Sequence, residues 1–169
     1  MNKNWSELQI AVCSNSVGFR KLVQQIMLSL GVTNVQTSRI DMGSGTPVTR
    51  NHDLIVVRLS PEDDTVLDFV RWLRLPQASP APGIPVLMAV STPDRQVLTT
   101  AIKAGVDLLV AEPLSIEGMK KRMEALLITS PKRVTAWNYY GPDRRRSPES
   151  FSPYKGQDRR NTLATAKSA

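Results

Sequence analysis

The chain of 169 residues predicts an α/β fold: a five-stranded, mainly parallel, doubly wound sheet, followed by a flexible basic tail. Three observations carry this. Short β-branched apolar runs alternate with segments that are apolar at helical spacing. Such alternation needs crossover connections, and hence a sheet covered on both faces. The charge is also divided unevenly. Residues 1–131 hold 13 Lys+Arg and 12 Asp+Glu, whereas residues 132–169 hold 9 basic and 3 acidic residues, so most of the net charge of +7 lies in the tail. The expected division is a nearly neutral globular domain over about residues 6–130 and a basic arm over 131–169.

The elements follow in order. Leu8–Cys13 is a short strand. Phe19, Leu22, Val23, Ile26, Met27 and Leu30 then trace a helix, with Gly31 as its stop. Asn34–Thr37 is a weak second strand, and Ser38–Arg50 is a loop or a degenerate helix. Leu54–Leu59 is a β-branched apolar run, as expected of a strand buried on both faces. Pro61-Glu62-Asp63-Asp64 starts the next helix, whose apolar face is Val66, Phe69, Val70 and Leu73. Pro76–Gly83 links it to a fourth strand, Pro85–Ser91. Thr92-Pro93-Asp94 opens a helix that Gly105 closes, Asp107–Ala111 is the last strand, and Ile116, Met119, Met123, Leu126 and Leu127 trace a final helix.

Composition narrows the chemistry. One Cys and one His exclude a disulfide framework and a Cys-rich zinc site, and they leave little for a His-based metal site or a Ser/His/Asp triad. No apolar run approaches the ~18 residues of a membrane-spanning helix, and no secretory signal is visible near the start. A cytoplasmic, soluble protein without membrane insertion is the expectation. In an open parallel sheet, reactive groups lie past the carboxyl ends of the strands. The residues expected there are Ser14 and Asn15, Arg58, Val90 with Ser91, and Glu112.

Several segments, taken in order, resemble the receiver domain of bacterial response regulators over about residues 6–130. They are Ser14-Asn15 followed by Arg20, His52-Asp53-Leu54-Ile55-Val56-Val57, Ile84-Pro85-Val86-Leu87-Met88, Ala104-Gly105-Val106-Asp107 and Glu112-Pro113-Leu114. The resemblance implies a CheY-like, flavodoxin-like fold and a place in two-component or phosphorelay signalling. Receivers hold Mg²⁺ with an acidic pair, phosphorylate an Asp at the end of the third strand, and use a Ser/Thr and a Lys beside it. Here the acidic pair maps to Ser14-Asn15, the phosphoacceptor to Arg58, the Ser/Thr to Val90 and the Lys to Glu112. Arg58 has no nucleophilic oxygen and stays cationic. Ser14 and Asn15 offer only neutral oxygens where Mg²⁺ prefers carboxylates. Asp63 and Asp64 are near in sequence but belong to the next helix start. The expectation is a pseudo-receiver with no enzyme activity and no Mg²⁺. Arg58 and Glu112 would form an ion pair in place of the family's Asp–Lys contact. Retention of Pro113 implies the family's cis peptide at Glu112–Pro113.

The tail carries a repeat. Residues 139–145 and 154–160 share Tyr-x-Gly-x-Asp-Arg-Arg at an offset of 15. Gly permits a tight turn, Asp can hold a turn or an Arg, and paired Arg groups grip phosphate or carboxylate. The candidate ligand- or partner-binding residues are Tyr140, Arg144, Arg145, Arg146, Tyr154, Arg159 and Arg160. Three readings follow. The first is a phosphorylation-independent adaptor that binds a protein partner through the fourth helix, last strand and last helix of its receiver fold. The second is an effector that binds cyclic di-GMP through the Arg-rich tail. The third is non-specific nucleic-acid binding by that tail, with steep salt dependence. Cys13, Met119 and Met123 are read as core, His52 as surface, and Trp72 as packed or half-exposed.

Overall fold

The structure, a computed structural model of the chain, describes residues 4–40, 48, 50–61, 63–129, 132–136 and 139–143. After a 3-10 turn at Trp5–Glu7 come β1 (Gln9–Cys13), α1 (Val17–Ser29), β2 (Asn34–Ser38), β3 (Leu54–Leu59), α2 (Thr65–Leu73) and β4 (Val86–Val90). Then follow α3 (Arg95–Ala104), β5 (Leu108–Ala111), α4 (Ile116–Thr129), β6 (Arg133–Ala136) and β7 (Tyr139–Pro142). The five-stranded sheet has the order β2-β1-β3-β4-β5 and every pairing in it is parallel. This is the expected doubly wound α/β architecture. Most of the Ser38–Arg50 segment lies outside the described residues, which contain four α-helices.

Successive strand residues face opposite sides of a sheet, and that period of two divides the interior into two cores. Ile10, Val12, Leu54, Val56, Leu87 and Ala89 pack under α1 and α4, where Phe19, Met27, Met119 and Met123 meet them. Ala11, Cys13, Ile55, Val57, Val86 and Met88 pack under α2 and α3, against Val66, Phe69, Val70 and Ala101. Each fully buried Leu, Ile or Met side chain contributes about 1.5–3 kcal/mol. Trp72 is half-buried and stacks on Phe69 with ring centroids 6.0 Å apart.

Local chemistry sets the helix ends. Ser16 caps α1 by accepting from the Phe19 amide at 3.3 Å, and Asp94 caps α3 by accepting from the Val97 amide at 2.8 Å. Gly105 ends α3 with φ +101°, a left-handed conformation that a side chain would strain. The α2 helix starts at Thr65, later than the acidic run starting at Pro61 implied. Its N-cap residue, Asp64, makes no side-chain cap, and Asp63 is used elsewhere. Among the described residues, no helix is long and apolar enough to cross a membrane.

The segment assigned from sequence to the tail begins with ordered structure. β6 and β7 pair antiparallel, and β7 is fastened to the domain where the Tyr140 amide donates to the Arg74 carbonyl at 2.9 Å. The fastening centres on Arg74, which is 1% exposed. Its Nε donates to the Gly105 carbonyl at 2.9 Å, and Nη1 donates to the carbonyls of Pro82 and Ile84 at 2.7 and 2.8 Å. Nη2 meets Asp107 Oδ2 at 2.6 Å, and that oxygen also accepts from the Val86 amide at 2.7 Å. Arg133 of β6 approaches Asp107 Oδ1 at 3.1 Å. Burial lowers the Arg74 pKa from its ordinary value, and the Asp107 charge opposes that shift.

The first copy of the repeat has a structural use here. Tyr139 lies over Gly141, where a Cβ would run into its ring and hydroxyl. A Cβ on Gly105 would come within 3.2 Å of the same ring, and one on Gly83 within 2.7 Å of the Tyr140 ring. These small residues let the hairpin close onto the domain.

Candidate functional site

The carboxyl ends of β1, β3, β4 and β5 bring together Ser14, Asn15, Arg58 and Glu112, as the parallel sheet requires. Arg58 is the last but one residue of β3, and Glu112 directly follows β5. The two meet side-on. Arg58 Nε donates to Glu112 Oε1 at 2.6 Å, and Nη2 donates to Oε2 at 2.9 Å. The side chains are 27% and 22% exposed, so solvent screens them in part. A charge-assisted bidentate pair in that setting stabilises by about 1 kcal/mol. The Arg58 guanidinium also stands over the Phe19 ring, 5.8 Å from its centroid. The Glu112–Pro113 peptide bond is cis.

Ser14 and Asn15 serve as clips. Ser14 is buried, its Oγ accepts from the Ser16 amide at 3.2 Å, and its carbonyl accepts from Arg20. Asn15 Nδ2 donates to Asp63 Oδ2 at 3.0 Å and to Thr65 Oγ1 at 3.3 Å, while Oδ1 accepts from the Ile40 amide at 3.3 Å. Asp63 is thus drawn into the site, against the expectation that it only starts a helix. Its other oxygen accepts from the Thr65 amide and hydroxyl. Sequence reasoning gave it no role because its partner lies 48 residues away.

Val90 is buried in the core under α2 and α3 and presents no polar group. Ser91 beside it has a buried Oγ without a hydrogen-bond partner among the described residues. It borders a hollow of about 320 Å³ between α2 and α3, shared with Asp64, Thr92 and Asp94. A second hollow of about 630 Å³ lies over the Arg58–Glu112 pair, walled by Phe19, Leu22, Pro113 and Leu114.

A divalent cation needs hard, anionic oxygens. Here a guanidinium occupies the centre and holds Glu112, and the carboxylate of Asp63 is engaged by Asn15 and Thr65. Among the described residues no three His, Cys, Asp or Glu side chains are grouped for a metal. These residues do not suit the Mg²⁺ of a phosphorylated receiver.

Of the tail candidates, Tyr140 is half-buried, with its ring against Gly83, instead of standing free for a partner. Its backbone bond to Arg74 fixes it there. Arg144, Arg145, Arg146, Tyr154, Arg159 and Arg160 lie outside the described residues. Arg74 and Asp107 were missed as a pair. The available signal was a charged residue directly after the apolar face of a helix, together with the Asp of the Ala-Gly-Val-Asp run.

No family model and no curated protein sequence matches the chain. Solved structures do match it. The chemotaxis protein CheY4 of Vibrio cholerae superposes with a TM-score of 0.57 at 18% identity, covering 71% of this chain and 98% of that one. A putative pilus assembly-related protein of Burkholderia pseudomallei gives a TM-score of 0.57 at 13% identity, over 78% of this chain and 98% of that one. A signal receiver domain of a two-component histidine kinase from Clostridium thermocellum gives 0.56 at 11% identity, over 72% and 98%. The fold is that of CheY-like receiver domains.

Proposed function

We propose that this receiver-fold chain is a signalling protein of the two-component or phosphorelay type that acts by protein–protein interaction, without aspartyl phosphorylation. The observation that carries the reading is the bidentate Arg58–Glu112 pair. In the resemblance to receivers, Arg58 maps to the phosphoacceptor and Glu112 to the lysine. The pair joins the ends of β3 and β5 without a phosphoryl group, which favours one standing conformation over a switch. The interaction face follows from the edge of the sheet. Among the described residues β5 pairs with β4 alone, its Leu108, Leu109 and Val110 are half-buried, and Ile102 of α3 and Ile116 of α4 are exposed.

The test is exposure of the full chain to acetyl phosphate and Mg²⁺, read by intact mass and by amide NMR. The expected outcome is no phosphoryl adduct and an unchanged spectrum. An adduct that moves the resonances of residues around Arg58 would overturn the reading.

The cyclic di-GMP reading keeps one supporting observation. The Asp143 amide donates to the Lys132 carbonyl at 2.6 Å, so the residue preceding the arginines is held to the end of the β6–β7 hairpin. Saturable shifts of amides near Asp143 on titration with cyclic di-GMP at physiological salt would favour it over the adaptor.

A further inference from the structure

The β6–β7 hairpin has one closed edge and one open edge. In an antiparallel pair, opposed residues alternate between exchanging both backbone bonds and exchanging none. The register sets Ala136 against Tyr139, Thr135 against Tyr140, Val134 against Gly141 and Arg133 against Pro142. The Asp143 amide donates inward, to the Lys132 carbonyl, whereas the Tyr140 amide donates away from β6, to the Arg74 carbonyl. These two bonds fix the alternation. Thr135–Tyr140 and Arg133–Pro142 are the non-bonded pairs, and their backbone groups point out of the hairpin. On the β7 side both outward positions are closed, since Tyr140 is bonded to Arg74 and Pro142 has no N–H. On the β6 side, the outward backbone groups of Arg133 and Thr135 have no backbone partner among the described residues. Thr135 and Ala136 are exposed.

We propose that the β6 edge receives an extended acidic segment of a protein partner, which adds a third strand to the hairpin. An open edge is a ready template for such addition, in which main-chain bonds supply the affinity. The edge is also held in place before binding. Arg133 meets the buried Asp107 at 3.1 Å, and Tyr140 is fastened to the Arg74 carbonyl, so little further ordering of the hairpin is needed. Charge selects the occupant. Lys132 is exposed at the open end of the hairpin, and Asp143, bonded to it, is followed directly in sequence by Arg144, Arg145 and Arg146. Arg133 is engaged by Asp107, and Asp143 offsets one more cation, so a positive surplus remains at that end. Two β6 edges brought together would set these cations against each other, which disfavours a second copy of the chain. An acidic strand would meet them with opposite charge.

This assignment deepens the reading of the chain as an interaction protein and rests on it for the partner being a protein. It does not involve Arg58, so a phosphoryl adduct there would leave it standing. The test is an amide NMR titration of the full chain, with hydrogen exchange, using a capped eight-residue peptide of alternating Val and Glu. Versions with Gln or Lys in place of Glu are the controls. The Glu peptide should give saturable shifts at Arg133 and Thr135 and slow exchange of the Thr135 amide severalfold. The Gln peptide should bind at least tenfold more weakly, and the Lys peptide should give no saturation. Thr135→Pro removes an outward donor and leaves the bonds to β7 in place, as proline on an edge strand allows. It should abolish binding while the Tyr140 amide stays protected, and Thr135→Ala should bind as the wild type does. If the proline also exposes the Tyr140 amide, slowed exchange of Thr135 in the wild type decides the matter. No saturation by the Glu peptide, shifts confined to the β5 edge, or equal binding of the Gln peptide would overturn the proposal. So would protection of Thr135 that grows with protein concentration in the absence of peptide, which would assign the edge to a second copy.

Discussion

Burying a guanidinium costs several kcal/mol unless its donors find acceptors. Arg74 meets that demand with three backbone carbonyls and one carboxylate, drawn from the 76–84 linker, the end of α3 and the start of β5. Arg74→Met would keep much of the volume but leave Asp107 with Arg133 as its one charged partner beside the Val86 amide. Urea unfolding should show a loss of about 3–5 kcal/mol, the range for breaking one side of a buried pair. An Arg74→Met, Asp107→Leu double variant should lose less than the sum of the single variants. Cys13 offers a second test. Burial pushes its thiol above the ordinary value of 9.0, opposed by the Ser38 hydroxyl. Because the folded pKa is the higher one, its contribution to stability is full below pH 9.0 and is lost as pH rises toward the folded value. Unfolding free energies measured between pH 8 and 11 should therefore fall at the alkaline end, and Cys13→Ala should flatten that fall. Such residue-level facts were poorly legible in the sequence. An Arg after Leu73 reads as a solvated helix end, and only the fold shows the carbonyls around it.

The β-strands of the sheet were legible because β3 and β4 are apolar runs, broken in β3 by Arg58 alone, and because α1 and α3 carry side-chain caps and glycine stops. The Arg58–Glu112 pair was legible for a related reason. Both residues sit at strand ends, and a parallel sheet brings such ends to one side. The β6–β7 hairpin was not legible. Its strands are four residues each, contain Gly and Pro, and form where the domain supplies a surface. Sequence-local signals for so short a hairpin are weak, since an isolated two-stranded hairpin is marginal at best. Gly141 is the position to probe. A Cβ there must displace Tyr139, so Gly141→Ala should undock β7 and cost about 1–3 kcal/mol. Amide exchange would show it as lost protection at Tyr140, while β1 and β4 stay protected.

At the scale of the molecule, the two ends of the sheet have been given different work. The carboxyl ends of the strands hold the Arg58–Glu112 charge pair. The opposite end anchors the chain that leads into the basic tail. Composition foretold the separation of charge, because the excess of Lys and Arg lies almost wholly after residue 131. It did not foretell the boundary. Asp107 is buried and is met by Arg133 of the segment expected to be tail, so one carboxylate carries the fold past residue 130.

The inversion of charge at Arg58 and Glu112 also constrains how the chain can change over generations. A lone Arg58→Asp would set two carboxylates against each other, and a lone Glu112→Lys would set two cations together. Either single step loses the pair and adds repulsion. The two positions therefore form one heritable unit. Lineages that pass between this arrangement and the phosphorylatable one must replace both residues together or cross a less stable intermediate.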